Sequence, residues 1–128
     1  MLLHTSTDKD IARNWKSGAG RFGSALFFVN GYNRKDAYHM SSAAKVVYAL
    51  SDEVQETLNI AERYELDISE ELEDRLDNFT DAEDSWDAQA ELLQVAVEQG
   101  FDGVEDEDEQ GTVYIIDGDK VVEKMQII

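Results

Sequence analysis

The 128-residue chain predicts an α+β fold, with strands at both ends and an acidic helical stretch between them. Three observations predict this. Apolar, β-branched and aromatic runs stand near the start, at Leu2–Ser6 and Ser24–Asn30, and near the end, at Gly103–Asp108, Thr112–Asp117 and Val121–Ile127. Between them, apolar residues recur at helical spacing. No repeat, proline or linker-like segment divides the chain, so residues 1–128 read as a single domain.

The elements follow in order. Leu2–Ser6 is a strand, and Thr7 or Asp8 can cap a short helix running through Trp15, because a side-chain oxygen there satisfies free amides. Ser17–Gly23 holds three glycines and reads as a turn. Ser24–Asn30 is a buried strand, broken at Asn30–Gly31. Lys35–Ala44 suits a helix. Val46–Leu50 suits a strand or the start of the next helix.

Val54, Leu58 and Ala61 fall at i, i+4 and i+7. So do Leu72, Leu76 and Phe79 after a cap at Ser69, and Trp86, Ala90, Leu93 and Val97 extend the spacing after Thr80 or Asp81. Most acids then lie on the opposite helix faces. Gly100 ends the last helix, since glycine tolerates the left-handed cap conformation. Gln110–Gly111 and Asp117–Gly118 supply turns between the three C-terminal strands.

Charge is distributed unevenly. The net charge of −18 divides into +4 over residues 1–50, −21 over 51–110 and −1 over 111–128. The acidic stretch repels nucleic acid, whose affinity depends on cations meeting phosphates. It attracts a basic protein surface. The basic first third can hold a small anionic ligand, while solvation of helix faces accounts for acids of this kind without any partner.

With no cysteine, disulfides, thiolate metal sites and cysteine nucleophiles are excluded, and a reducing cytoplasm fits. No apolar run exceeds five residues, so no membrane-spanning helix is expected. The N-terminus lacks the basic start and apolar stretch of a secretory signal.

Two motif matches fail on context. Gly18-Ala19-Gly20-Arg21-Phe22-Gly23 spells a dinucleotide fingerprint, but a helix-like segment precedes it and a strand-like one follows, the reverse of what a pyrophosphate at a helix N-terminus needs. Asp106–Asp117 approximates a calcium loop, with Gln110 at the fifth position, a short acid at the twelfth and no exiting helix. His4 and His39 cannot form a metal site alone, and no metal is expected.

The remaining features fit together. A histidine stands in the first strand, Leu2-Leu3-His4-Thr5-Ser6. A glycine-rich turn leads to an aromatic strand, Phe22-Gly23-Ser24-Ala25-Leu26-Phe27-Phe28-Val29. Near the end come Gly100-Phe101-Asp102-Gly103-Val104-Glu105, an acidic cluster, and Gly111-Thr112-Val113-Tyr114-Ile115-Ile116. This layout resembles the ADP-ribosyltransferase fold. The tail from Phe101 to Lys124 is most similar to the ADP-ribosylating anti-CRISPR proteins of phages, through Glu107–Thr112 and Val122-Glu123-Lys124. The likeness covers roughly the first 30 and last 28 residues and not the helical middle.

The resemblance implies a mono-ADP-ribosyltransferase that takes ADP-ribose from NAD. Breaking the nicotinamide–ribose bond creates an oxocarbenium-like centre, which a fixed carboxylate stabilises, as in glycoside cleavage. By resemblance Asp108 is that carboxylate, with Glu107 and Glu109 as alternates. Strand alternation puts 107 and 109 on one face and 108 on the other. His4 would hydrogen-bond a ribose hydroxyl, and Thr5 would bind the nicotinamide amide through its main chain. Phe27 or Phe28 would pack against the nicotinamide ring, and alternation makes at least one of them core. Arg21, Arg13 or Arg34 would pair with the pyrophosphate, and Tyr38 and Tyr48 are further pocket residues.

The implied partner is a protein acceptor with a basic surface in a CRISPR effector complex, reached in the host cytoplasm, with no direct contact to nucleic acid or membrane. The acidic residues 51–99 would dock the acceptor while the basic third binds NAD. The alternative is a non-catalytic acidic binder, a nucleic-acid mimic that blocks a basic site on its partner. It needs only the −21 stretch and leaves His4 and the C-terminal strands without a role.

Overall fold

The computed structural model of the chain describes residues 1–18, 22–40, 46–108 and 111–128, with 38–40 and 108 described by backbone alone. Among the described residues, seven strands form one sheet in the order β4-β5-β6-β2-β1-β3-β7. They are β1 (Leu2–Ser6), β2 (Ala25–Asn30), β3 (Val46–Leu50), β4 (Ile60–Glu62), β5 (Gly103–Asp108), β6 (Gly111–Asp117) and β7 (Gln126–Ile127). Of the neighbouring pairs, β4 with β5 is parallel and the rest are antiparallel.

Alternation along the strands divides the core in two. On one face Ala25, Val104, Val113 and Ile115 pack under α3 (Glu70–Asp77) and α4 (Ala82–Glu98) against Leu72, Leu76, Ala88, Leu92, Leu93 and Ala96. On the other face Leu2, Leu26, Phe28, Tyr48, Leu50 and Ile116 meet Ile11 of α1 (Ile11–Asn14), Val121, Val122 and Met125. A smaller cluster joins Leu3, Val29, Val47 and Ala49 to Ala37 of the 3-10 helix Arg34–Met40. Tyr48 ties α1 to the sheet: its hydroxyl accepts from the Ile11 amide at 3.1 Å and donates to the Asp8 carbonyl at 2.7 Å.

The strands at 2–6, 25–30, 103–108 and 111–117 follow the sequence expectation, and Val46–Leu50 is a strand. Ser69 and Asp81 cap α3 and α4, accepting from the amides of Leu72 and Asp84. Gly100, at φ 93°, terminates α4.

Four expectations are corrected. The first helix starts at Ile11 after Asp10, because Asp8 uses its carboxylate on the Asp10 amide and the Asn14 side chain. The helix expected through Ala61 is only α2 (Asp52–Glu56), and Ala61 lies in β4, which pairs with β5. The strand expected at Val121–Ile127 is mostly helical. Asp117 caps α5 (Gly118–Val121), a 3-10 helix spans Val122–Lys124, and only Gln126–Ile127 pairs with β3. Finally, the Lys35–Ala44 helix is the 3-10 helix Arg34–Met40 as far as residue 40, while 41–44 lie outside the described residues. Among the described residues no helix is long and apolar enough to cross a membrane.

Candidate active site

The registers of six strands align one row of residues on the face opposite α3 and α4. His4 pairs with Tyr48, Phe28 with Tyr114, Tyr114 with Glu105, and Glu105 with Glu62. The β1–β2 register continues from Leu3–Val29 to set His4 beside Phe28, whose ring centroid is 5.4 Å from the imidazole. The row therefore reads Tyr48, His4, Phe28, Tyr114, Glu105, Glu62. His4 and Glu105 are three strand spacings apart, about 14 Å between backbones.

His4 is partly buried, and its Nδ1 lies 2.8 Å from the Phe27 carbonyl. A carbonyl only accepts, so Nδ1 carries the proton. Burial lowers the imidazole pKa below its ordinary value, against the opposing effect of that bond. The ring is thus neutral at pH 7, with Nε2 a lone-pair acceptor that has no partner among the described residues. A sugar hydroxyl suits such an acceptor.

Glu105 is half-buried, and its carboxyl pKa is raised by burial first and then by the neighbouring Glu62 and Glu107 charges. Opposite it, the Tyr114 hydroxyl is raised by burial and by the Glu105 carboxylate. Glu107 shares this face, is exposed, and pairs with Thr112. Continued through Asn30, that register puts Glu107 level with Leu2, about 7 Å along the strand from the His4 row.

Asp106 faces the other way. It is buried under α4, ion-paired to Arg63 and bonded to Gln89. Beside it a hollow of about 800 Å³ opens between β5, the turn after β4, and α3. Its walls carry Glu62, Asp67, Glu73, Asp77, Glu105, Asp106 and Glu107 with Arg63 and Tyr64. So acidic a lining repels a pyrophosphate and attracts a cation.

The other sequence candidates divide between the two faces. Thr5 and Phe27 lie on the α4 face, where Phe27 packs edge-on against Phe22 at 5.5 Å between centroids. Phe28 is on the His4 face but wholly buried, and Tyr48 is core with its hydroxyl engaged. Arg13 and Arg34 are exposed. Arg21 and Glu109 lie outside the described residues, as do the side chains of Asp108 and Tyr38. Gly18 and Gly23 have φ of 72° and 65°, and the Gly18 amide donates to Ser24 Oγ at 2.9 Å. Glu105 lies in the acidic run 105–109 but outside the three candidates the resemblance picks from it, and nothing local in the sequence marks Arg63 or Gln89.

A family model for the anti-CRISPR type I-F ADP-ribosyltransferase AcrIF11 matches residues 3–124. The chain belongs to this ADP-ribosyltransferase anti-CRISPR family. The match spans the helical middle as well as the two ends that carried the sequence resemblance. Among solved structures, one described as a crystal structure of an anti-CRISPR protein shares the fold. Its TM-score is 0.53 at 23% identity, over 90% of this chain and 87% of the other. No curated protein matches. Membership in an ADP-ribosyltransferase family implies NAD as substrate in general, and in this chain His4 and the half-buried Glu105 stand on one sheet face.

Proposed function

We propose that the protein is an active mono-ADP-ribosyltransferase that moves ADP-ribose from NAD to a protein acceptor in a CRISPR effector complex. One observation carries the reading: His4, its Nδ1 held by the Phe27 carbonyl, stands level with Glu105 on one sheet face. His4 accepts from a ribose hydroxyl and fixes the dinucleotide. The bond from ribose C1′ to the nicotinamide nitrogen breaks, its electron pair leaves with nicotinamide, and a carboxylate stabilises the cationic ribose. The acceptor nucleophile attacks C1′ and gives up its proton to that carboxylate.

Glu105 is the carboxylate we favour, because its level with His4 supports it and its partial burial strengthens its field. Asp108, Glu107 and Glu109 are the competing choices. Single amide variants at the four positions separate them, since only the true one abolishes turnover while folding is retained.

The acceptor is a basic protein surface. The sheet order sets the acidic β4, β5, α3 and α4 at one end and β1 and β3, from the basic third, toward the other. Charge of this kind speeds encounter with a positive partner. Incubation with labelled NAD and a lysate containing a CRISPR effector complex tests the reading. One labelled protein band is expected. Equal inhibition of the complex by wild type and by a Glu105→Gln, His4→Ala double variant would replace it with the acidic-binder reading.

A further inference from the structure

We infer that Arg63 is a positioning residue for the acidic end of β5. It holds Asp106 from the helix side and so fixes Glu105 and Glu107 on the face of His4. The effect on activity rests on the transferase reading, but the tether itself does not.

The need arises from the sheet. β4 pairs with β5 only as far as Glu62 opposite Glu105. From Asp106 onward, among the described residues, β5 has β6 on one side and no strand on the other. The same stretch carries consecutive carboxylates, which repel one another. A strand end of that kind frays unless something holds it.

Arg63 is the first residue beyond β4, and its backbone is set by a reciprocal capping box in which the Glu62 amide donates to Glu65 Oε1 at 3.0 Å. Its guanidinium then spans three acceptors. One nitrogen reaches Asp106 Oδ1 at 3.3 Å. The other reaches Asp77 Oδ1 at 2.9 Å and the Glu73 carbonyl at 3.4 Å, both on α3. From α4, Gln89 donates Nε2 to Asp106 Oδ2 at 3.3 Å. Gln89 is 1% exposed and its Oε1 has no partner among the described residues, so this buried amide is turned toward the carboxylate. Both Asp106 oxygens are thereby pinned to the helix layer. The flanking Glu105 and Glu107 project oppositely, and their backbone position follows from that anchor. A lysine ammonium is a compact point charge and cannot span the fork.

The test compares Arg63→Gln, Arg63→Lys and the apolar pair Arg63→Met with Asp106→Leu, which restores packing without charge. Amide hydrogen exchange across Glu105–Glu107 is read first. Exchange about tenfold faster is expected in both single variants, with Leu92 and Leu93 of α4 unchanged. Steady-state kinetics follow: kcat is expected to fall about 10- to 100-fold with KM for NAD nearly unchanged, in the double variant as well. Unchanged exchange in the single variants, or a double variant with wild-type kcat, would overturn the proposal. If the wild type does not turn over NAD, the transferase reading fails, and the exchange data alone decide the tether.

Discussion

His4 on β1 and Glu105 on β5 occupy the same level of the sheet on the same face, joined through Phe28 and Tyr114. Residues 101 positions apart in sequence thus share one sheet face. One presents an acceptor nitrogen and the other a carboxylate that burial and neighbouring charge make easier to protonate than usual.

His4 gives the fold a pH dependence of definite sign. Its imidazole pKa is lowered by burial from an ordinary value of 6.5, so the unfolded chain takes up a proton that the folded chain resists. Stability is expected to fall as pH drops below the ordinary imidazole range. A His4→Gln variant should lose less melting temperature between pH 7.5 and 5, roughly the window in which imidazole titrates. Parallel curves for the two proteins would contradict this.

Glu105 has the opposite sign. Its raised carboxyl pKa means the folded state favours the proton, so its contribution to stability is greatest below the ordinary carboxyl pKa and declines as pH rises through the raised value. Glu105→Gln should therefore stabilise the fold at pH 7, by about 0.5 kcal/mol through lost repulsion with its neighbours. The gain should vanish in acid. The same variant should lose about 100- to 1,000-fold in NAD turnover. Urea denaturation at two pH values and a nicotinamide-release assay measure both effects.

Gly118 is a packing requirement at the start of α5. A Cβ there would meet the Trp15 ring, whose Nε1 donates to Asp119 Oδ1 at 2.7 Å, while Ser17 Oγ donates to Asp119 Oδ2 at 2.6 Å. Gly118→Ala should push the indole off Asp119 and cost about 1–3 kcal/mol. Denaturation followed by tryptophan fluorescence would detect it as a lower midpoint at unchanged slope.

Acceptor modification should depend on salt more than NAD turnover does. The acidic β4 and β5 lie at one end of the sheet, and exposed charges are screened within about 8 Å at physiological ionic strength. Raising salt from 50 to 500 mM (roughly a threefold shorter screening length) should slow transfer to the partner severalfold while hydrolysis of NAD by water changes little. Equal slowing of both would show that the acidic end does not recruit the acceptor.

Elements governed by local chemistry were legible from the residues alone. Alternation and turn residues marked β1, β2, β5 and β6, and side-chain caps marked α3 and α4. Where local patterns competed, the reading failed. Val54, Leu58 and Ala61 have helical spacing, but pairing with β5 takes Ala61 into a strand. Val121 and Val122 have strand propensity, yet burial against Ile11 and Phe28 holds them in helical turns. In α4 the buried stripe is Ser85, Ala88, Gln89, Leu92, Leu93 and Ala96, turned from the apolar set, because Gln89 serves Asp106 while Val97 is left 41% exposed. His4 could be identified as a candidate because it is a rare residue in a short motif. Glu105 could not, because its level with His4 depends on three strand registers set by non-local pairing.

The most direct test is the structure of the Glu105→Gln variant with intact NAD bound. His4 Nε2 should lie about 3 Å from a ribose hydroxyl, with the nicotinamide ribose between His4 and position 105. A dinucleotide seated away from the row of Tyr48, His4, Phe28, Tyr114 and Glu105, touching neither His4 nor residue 105, would contradict the account.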